Sequence, residues 1–127
     1  MTIDTQKLID RHEAFKAKGL KLTEDDLFQW VALREEMLDA WTNLNSEYQE
    51  EKWQLDVDKW VRMIELKTML TADNKKVHTD TTAEANIKAE FQDREKEVKA
   101  IKLRADLIYN KASVCEAYIN IVKKVLH

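Results

Sequence analysis

The chain has 127 residues, of which 44% are hydrophobic and 35% are charged, and its 21 basic and 24 acidic side chains give a formal net charge of −3 at pH 7. This balance excludes a disordered tail, because enough apolar side chains are present to form a core, and it excludes a protein with a globally basic field for nucleic acid. The sequence contains no proline and one glycine, which predicts an all-α fold made of long helices.

Membrane insertion and secretion are not expected. No apolar run approaches the roughly 20 residues that a membrane-spanning helix needs. The segment Met1 to Asp4 also lacks the basic and apolar regions of a signal peptide. We therefore expect a cytoplasmic protein with no membrane partner.

A short first helix is predicted over about residues 5–18. Its apolar side chains recur at helical spacing, and Gly19 follows as a residue suited to the left-handed conformation that commonly ends a helix. The predicted inward side chains are Leu8, Ile9, His12 and Phe15.

A long second helix is predicted over about residues 24–70. Thr23 supplies a capping hydroxyl, and the acidic run Glu24 to Asp26 meets the positive end of the helix dipole. The apolar pattern changes phase near Gln49, so we expect a bend or a change of packing partner there. The first half is predicted to pack on one neighbour through Leu27, Trp30, Met37, Trp41, Leu44 and Tyr48, and the second half on another through Val57, Trp60, Ile64 and Met69.

The polar segment over about residues 71–81 predicts a chain reversal, because Asp73 and Asn74 favour turns. Thr81 and Glu84 have the spacing of a capping box, which predicts a second long helix over about residues 82–126. Apolar side chains in this helix follow a coiled-coil heptad. One row is Phe91, Val98, Ala105, Ala112, Ile119 and Leu126, and the other is Ile101, Ile108, Cys115 and Val122.

Together these elements predict a single domain, a long antiparallel helical hairpin with a short N-terminal helix. Beyond Leu103 the apolar surface is wider than one partner helix covers, which predicts a homo-oligomer. The predicted interface residues are Ile108, Cys115, Tyr118, Ile121, Val122 and Val125. The alternative is that the first helix folds back and completes a monomeric three-helix bundle.

Catalysis is not expected. The only cysteine, Cys115, lies in the apolar heptad, and the three histidines, His12, His78 and His127, are too far apart in sequence to share the helical spacing of metal ligands. We therefore expect no enzyme activity, no cofactor and no metal.

Two groups of cations are candidates for nucleic-acid binding. The turn carries Lys75 and Lys76, and the last helix carries Lys99, Lys102 and Arg104 together with Lys88, Lys96 and Lys111. The alternative is a solvated helix flank whose cations pair with Glu95, Glu97 and Asp106.

The segment Glu65-Leu66-Lys67-Thr68-Met69-Leu70-Thr71-Ala72-Asp73-Asn74-Lys75 resembles the UvsY-type recombination mediators of tailed phages. Similar length, the lack of proline and the long helix after the turn support this resemblance. It implies a small all-helical protein that assembles into rings, binds single-stranded DNA, displaces the single-strand binding protein and loads a RecA-like recombinase, here in the host cytoplasm during infection.

The family's DNA-binding element is a basic helical stretch with a Lys-x-Arg core before this turn. The cations at that place are Lys59, Arg62 and Lys67, which the resemblance makes candidates for DNA contact, whereas the Lys-x-Arg spacing itself occurs at Lys102-Leu103-Arg104 in the last helix. The alternative function is a non-catalytic adaptor or scaffold that acts only through protein contacts.

Overall fold

The computed structural model describes residues 5–126 and shows an all-α protein, as predicted. Its four helices are α1 (Thr5–Ala17), α2 (Glu24–Thr68), α3 (Asp80–Glu90) and α4 (Gln92–Leu126). Residues 1–4, used above in the argument against a signal peptide, and His127 lie outside the described residues.

The chain forms two compact units. The first consists of Met1–Asn45 and Lys102–His127, and the second of Ser46–Ile101. The boundary within α2 falls close to Gln49, where the apolar pattern changes phase. The expectation of a single domain stays a prediction.

In the first unit, α1 and the first half of α2 pack with the C-terminal part of α4. Trp30 and Met37 from α2 share a core with Ile108, Cys115 and Ile119 from α4. The antiparallel order of α2 and α4 is visible in two contacts, Arg34 with Glu116 and Trp41 with Tyr109.

The α1 side chains Leu8, Ile9 and Phe15 pack against this core. The first helix therefore folds back onto the hairpin, as in the alternative of a three-helix bundle.

The second unit has a smaller core between the end of α2 and α3. Leu66, Ala83 and Ile87 are buried together, with Met63 and Phe91 packed against them. The chain again runs antiparallel, because Asp58 pairs with Arg94 while the later Arg62 pairs with the earlier Glu90.

Two helix ends and the turn follow the predicted chemistry. Gly19 has φ of +82°, the left-handed conformation that ends a helix. The Asp26 backbone N–H donates to the Thr23 hydroxyl at 3.1 Å, which confirms the predicted cap. In the turn, Asn74 has φ of +61°, a conformation that asparagine tolerates better than most residues.

The capping box at Thr81 and Glu84 was wrong by two residues. The N-cap of α3 is Thr79, whose hydroxyl accepts from the Thr82 backbone N–H at 3.2 Å. Several threonines follow one another here, so sequence spacing alone could not choose between them.

The predicted last helix is interrupted at Phe91, which separates α3 from α4. Phe91 has φ of −102° and ψ of 5°, but its N–H still donates to the Ile87 carbonyl at 3.0 Å and its carbonyl accepts from Glu95 at 2.9 Å. After the break, the predicted heptad positions of α4 face the core. Val98, Ala105, Ile108, Ala112, Cys115, Ile119 and Val122 are all buried as the pattern predicted.

Within the described chain, the second half of α2 does not pack through the predicted face, so the packing of that face on a further neighbour stays a prediction. Trp60 is 67% exposed and Ile64 is 44% exposed, and Met69 is exposed as well. Leu55 and Leu66 are the buried side chains on this part of the helix. The apolar pattern selected the face that contains Trp60, whereas the unit packs through these leucines.

Four of the six predicted oligomer-interface residues pack within the described chain. Ile108, Cys115 and Val122 have no exposed surface because α1 and α2 already cover this part of α4, and Tyr118 packs against Trp30. Only Ile121, at 45%, and Val125, at 56%, remain open to a partner. Oligomerisation itself stays a prediction.

Candidate nucleic-acid interface

The α2 cations that the family resemblance selected are held in ion pairs of the second unit. Lys59 pairs with Glu95, and the Arg62 guanidinium donates two hydrogen bonds to Glu90, at 2.9 and 3.0 Å. Arg62 also contacts Glu65 at 3.0 Å. These carboxylates offset the two positive charges, so both cations would have to exchange a protein partner for a phosphate.

The pKa values follow these pairs. The pKa of Arg62 is raised by its hydrogen bonds to Glu90 and Glu65. The pKa values of Glu90 and Glu95 are lowered, chiefly by hydrogen bonds from Arg62 and Lys59 respectively. Both carboxylates therefore stay ionised at neutral pH and keep their cations engaged.

The turn presents its lysines to solvent. Its backbone is closed by hydrogen bonds from Thr71 N–H to the Lys75 carbonyl at 2.8 Å and from Val77 N–H to the Met69 carbonyl at 3.1 Å. Lys75 and Lys76 are exposed and form no ion pair with another residue in the 5–126 range. Lys67 is nearby in sequence, but its Nζ lies 3.5 Å from Asp80 Oδ1.

In the first unit, the candidate cations contact other residues of the same chain. Lys102 lies 3.3 Å from Asp106, and Arg104 donates to the Thr5 hydroxyl at 2.9 Å. Lys111 pairs with Glu13 of α1. Arg104 and Lys111 therefore help to attach α1, which is a structural role.

The remaining candidate cations line a groove of about 490 Å³ in the second unit. Lys88 of α3 and Lys96 and Lys99 of α4 line it. None of these three makes an ion pair with another described residue, and all three are exposed. Glu95 also lines the groove; it forms an ion pair with Lys59, and the charges of Lys99 and Lys88 lower its pKa further. The other lining residues are Ala85, Ala89 and Gln92.

We call this site the lysine groove and define it by Lys88, Lys96 and Lys99. The sequence analysis did not distinguish these three lysines from the other cations of the last helix. Positions 85, 88, 92, 96 and 99 recur every three or four residues, which is the signal of one helix face. The break at Phe91 leaves this face continuous, so the spacing could have identified it.

Other kinds of site are not evident. Within residues 5–126 no group of three or more His, Cys, Asp or Glu side chains is arranged to hold a metal ion. In the same range no helix combines the length and apolar character needed to cross a membrane. His78 contacts Asn86 at 3.3 Å, and His12 is buried in the first unit.

No family model, no curated protein and no solved structure matches the chain.

Proposed function

We propose that the protein is a non-enzymatic accessory factor that binds single-stranded DNA and helps to load a RecA-like recombinase. The observation that carries this proposal is the lysine groove. Three unpaired cations on one surface suit successive phosphates of a flexible strand better than the ion-paired Lys59 and Arg62 do. The resemblance of the segment from Glu65 to Lys75 to UvsY-type mediators supplies the recombination context, and with it the host cytoplasm as the place of action.

The geometry favours a contact path through the groove and the turn. Lys75 and Lys76 are exposed cations of the second unit without an ion pair in the described chain, as is Lys52 of α2. Binding through these residues would be electrostatic and insensitive to sequence, because lysine offers a point charge to phosphate and no planar pattern for base edges.

The test is a salt series with labelled single-stranded DNA. Wild-type protein should bind at low salt and weaken steeply as salt rises. Changing Lys88, Lys96 and Lys99 together to Gln should lower affinity and reduce the slope of log K against log salt by about 2, since each lost phosphate contact on a single strand contributes roughly 0.7.

The matched control changes Lys7, Lys123 and Lys124 to Gln. These lysines are exposed and lie in the first unit, and the change in net charge is the same. The control should keep the wild-type slope. Equal losses of affinity in both variants would mean that net charge, and not the lysine groove, determines binding. If the wild-type protein did not bind at low salt, the DNA-binding proposal would be rejected.

Recombinase loading has its own readout. On DNA coated with a single-strand binding protein, wild-type protein should shorten the lag before a RecA-like ATPase starts, and the groove variant should not. If the wild-type protein binds DNA but leaves the lag unchanged, recombinase loading is rejected and the DNA-binding part of the proposal remains.

A second candidate is the protein-only adaptor, which the exposed tryptophans of α2 favour. Trp53 is 64% exposed and Trp60 is 67% exposed, and large exposed aromatic surfaces commonly mark protein interfaces. The salt series separates the two functions, because an adaptor needs no affinity for phosphate.

A further inference from the structure

The second half of α2 carries an apolar stripe on its outer face, here called the tryptophan stripe, made of Trp53, Val57, Trp60 and Ile64. Three of these side chains are exposed, at 64% for Trp53, 67% for Trp60 and 44% for Ile64, and Val57 is half-buried. Their successive spacings of four, three and four residues are those of the a and d positions of a coiled-coil seam.

The stripe is not the face that builds the core of its unit. Leu55 and Leu66 are buried there, and at about 100° per residue they lie on the opposite side of the helix from the stripe. This part of α2 therefore has two apolar faces, and the described chain covers only one of them. A helix with apolar residues on both sides needs a second neighbour.

We propose that a second copy of this chain covers the tryptophan stripe in an antiparallel two-fold pairing. A register that places Val57 opposite Trp60 of the second copy also places Trp53 opposite Ile64. The two-fold axis repeats both contacts, so one helix face is complementary to itself. Each large indole then faces a smaller branched side chain, as close packing of facing rows requires.

Charge at the two ends of the stripe selects the direction. The same antiparallel register places Glu50 of one copy opposite Lys67 of the other, once at each end. A parallel pairing would place Glu50 against Glu50 and Lys67 against Lys67, which is repulsive. Glu50 is exposed, and Lys67 is 47% exposed with only a 3.5 Å contact to Asp80, so both side chains can reach a partner.

Packing selects the register. Moving the antiparallel pairing by one heptad in one direction places Glu50 opposite Trp60, and moving it in the other direction places Lys67 opposite Val57. Either shift buries a charge against an apolar side chain, which is costly. Only the proposed register matches every apolar position of the stripe with another.

The first experiment measures molecular mass by sedimentation equilibrium from about 1 to about 100 µM. Wild-type protein should be a dimer in the upper part of this range. Trp60→Glu should raise the dimer dissociation constant at least tenfold. The matched control is Phe28→Glu, because Phe28 is also 67% exposed on α2 but lies in the first unit; it should dimerise as the wild type does.

The second experiment tests direction and register by charge reversal. Glu50→Lys and Lys67→Glu should each weaken the dimer by on the order of tenfold, since two ion pairs become two repulsions per dimer. The double variant should regain most of the affinity. A parallel pairing predicts instead that neither single change weakens the dimer, because like charges face each other before and after the change.

A wild-type protein that stays monomeric at the highest concentration would overturn the proposal. So would a dimer that survives Trp60→Glu, equal weakening by Phe28→Glu, or a double variant no tighter than the single ones. Circular dichroism checks that each variant is folded. The helix content should not change, because all the substituted side chains are exposed. The measurement uses no DNA, so its outcome is independent of the proposed function.

Discussion

His12 is a buried histidine whose Nδ1 lies 3.6 Å from Glu13 Oε1, too far for a hydrogen bond. It is 1% exposed, its ring meets Trp30 edge to face at a centroid distance of 5.9 Å, and neither ring nitrogen has a hydrogen-bond partner. Burial lowers its pKa, and the nearby positive charge of Lys111 lowers it further, against an opposing effect of Glu13. The neutral imidazole is therefore the form that fits the folded state.

Stability should consequently depend on pH through His12. Below about pH 6.5 the unfolded chain binds a proton that the folded chain resists, so the free energy of unfolding should fall as the pH falls through this range. His12→Leu should flatten that dependence. Urea unfolding at several pH values measures it, and His78→Gln serves as control for a histidine outside the core. An unchanged pH dependence in His12→Leu would contradict the assignment.

Cys115 should be chemically inert in the folded protein. It has no exposed surface, and burial raises the pKa of its thiol to about 11, so the reactive thiolate is scarce at neutral pH. A chromogenic disulfide reagent should react slowly with native protein and fast in denaturant. A native rate close to the denatured rate would show that this core opens readily.

The cap of α3 offers an element-scale prediction. Thr79→Ala should destabilise the second unit by about 1 kcal/mol, because the Thr82 N–H loses its hydroxyl acceptor. Thr81→Ala, at the position that spacing alone favoured, should change stability by less than about 0.5 kcal/mol. Hydrogen exchange of the α3 amides distinguishes the two variants. A larger effect at Thr81 would mean that the helix begins where the sequence pattern placed it.

The helices were predictable where local chemistry determines them. Thr23 and Gly19 are end signals that act within a few residues, and the heptad through Val98 and Ile119 needs only helical periodicity. The break at Phe91 carries no glycine or proline and keeps its neighbouring hydrogen bonds. It therefore leaves no local signal that a sequence analysis could use.

The orientation of α2 near its end was not predictable for a different reason. Both the tryptophan stripe and the leucine face around Leu66 have helical spacing, and periodicity does not say which face a particular neighbour covers. The choice depends on what α3 brings into contact, namely Ala83 and Ile87. The same long-range dependence explains why Lys59 and Arg62 were taken as open cations, since Glu95 and Glu90 reach them only after the chain reverses.

At the scale of the whole molecule, the two units differ in the size of their cores. The buried cluster described for the first unit includes Trp30, Met37 and Ile119 among nine side chains, whereas that of the second has three. Burial of apolar surface is the main source of stability. The second unit should therefore open more readily than the first.

Hydrogen exchange tests this difference directly. Amides of α4 between Ala105 and Val122 should exchange more slowly than those of α3. Leu66→Ala should accelerate exchange in the second unit and cost about 2 to 5 kcal/mol there, the usual range for a buried leucine. Met37→Ala is the matched change in the first unit. Equal protection of both units in the wild type would mean that they unfold together.

The four tryptophans give the chain a built-in optical reporter. Trp30 is enclosed between Phe15 and Tyr118, so its fluorescence should be blue-shifted and shielded from acrylamide. The indoles of Trp53 and Trp60 stand in water, so they should emit at longer wavelength and be quenched readily. A partner that binds to that helix face should therefore shift the tryptophan emission to shorter wavelength, without a dye attached to the protein.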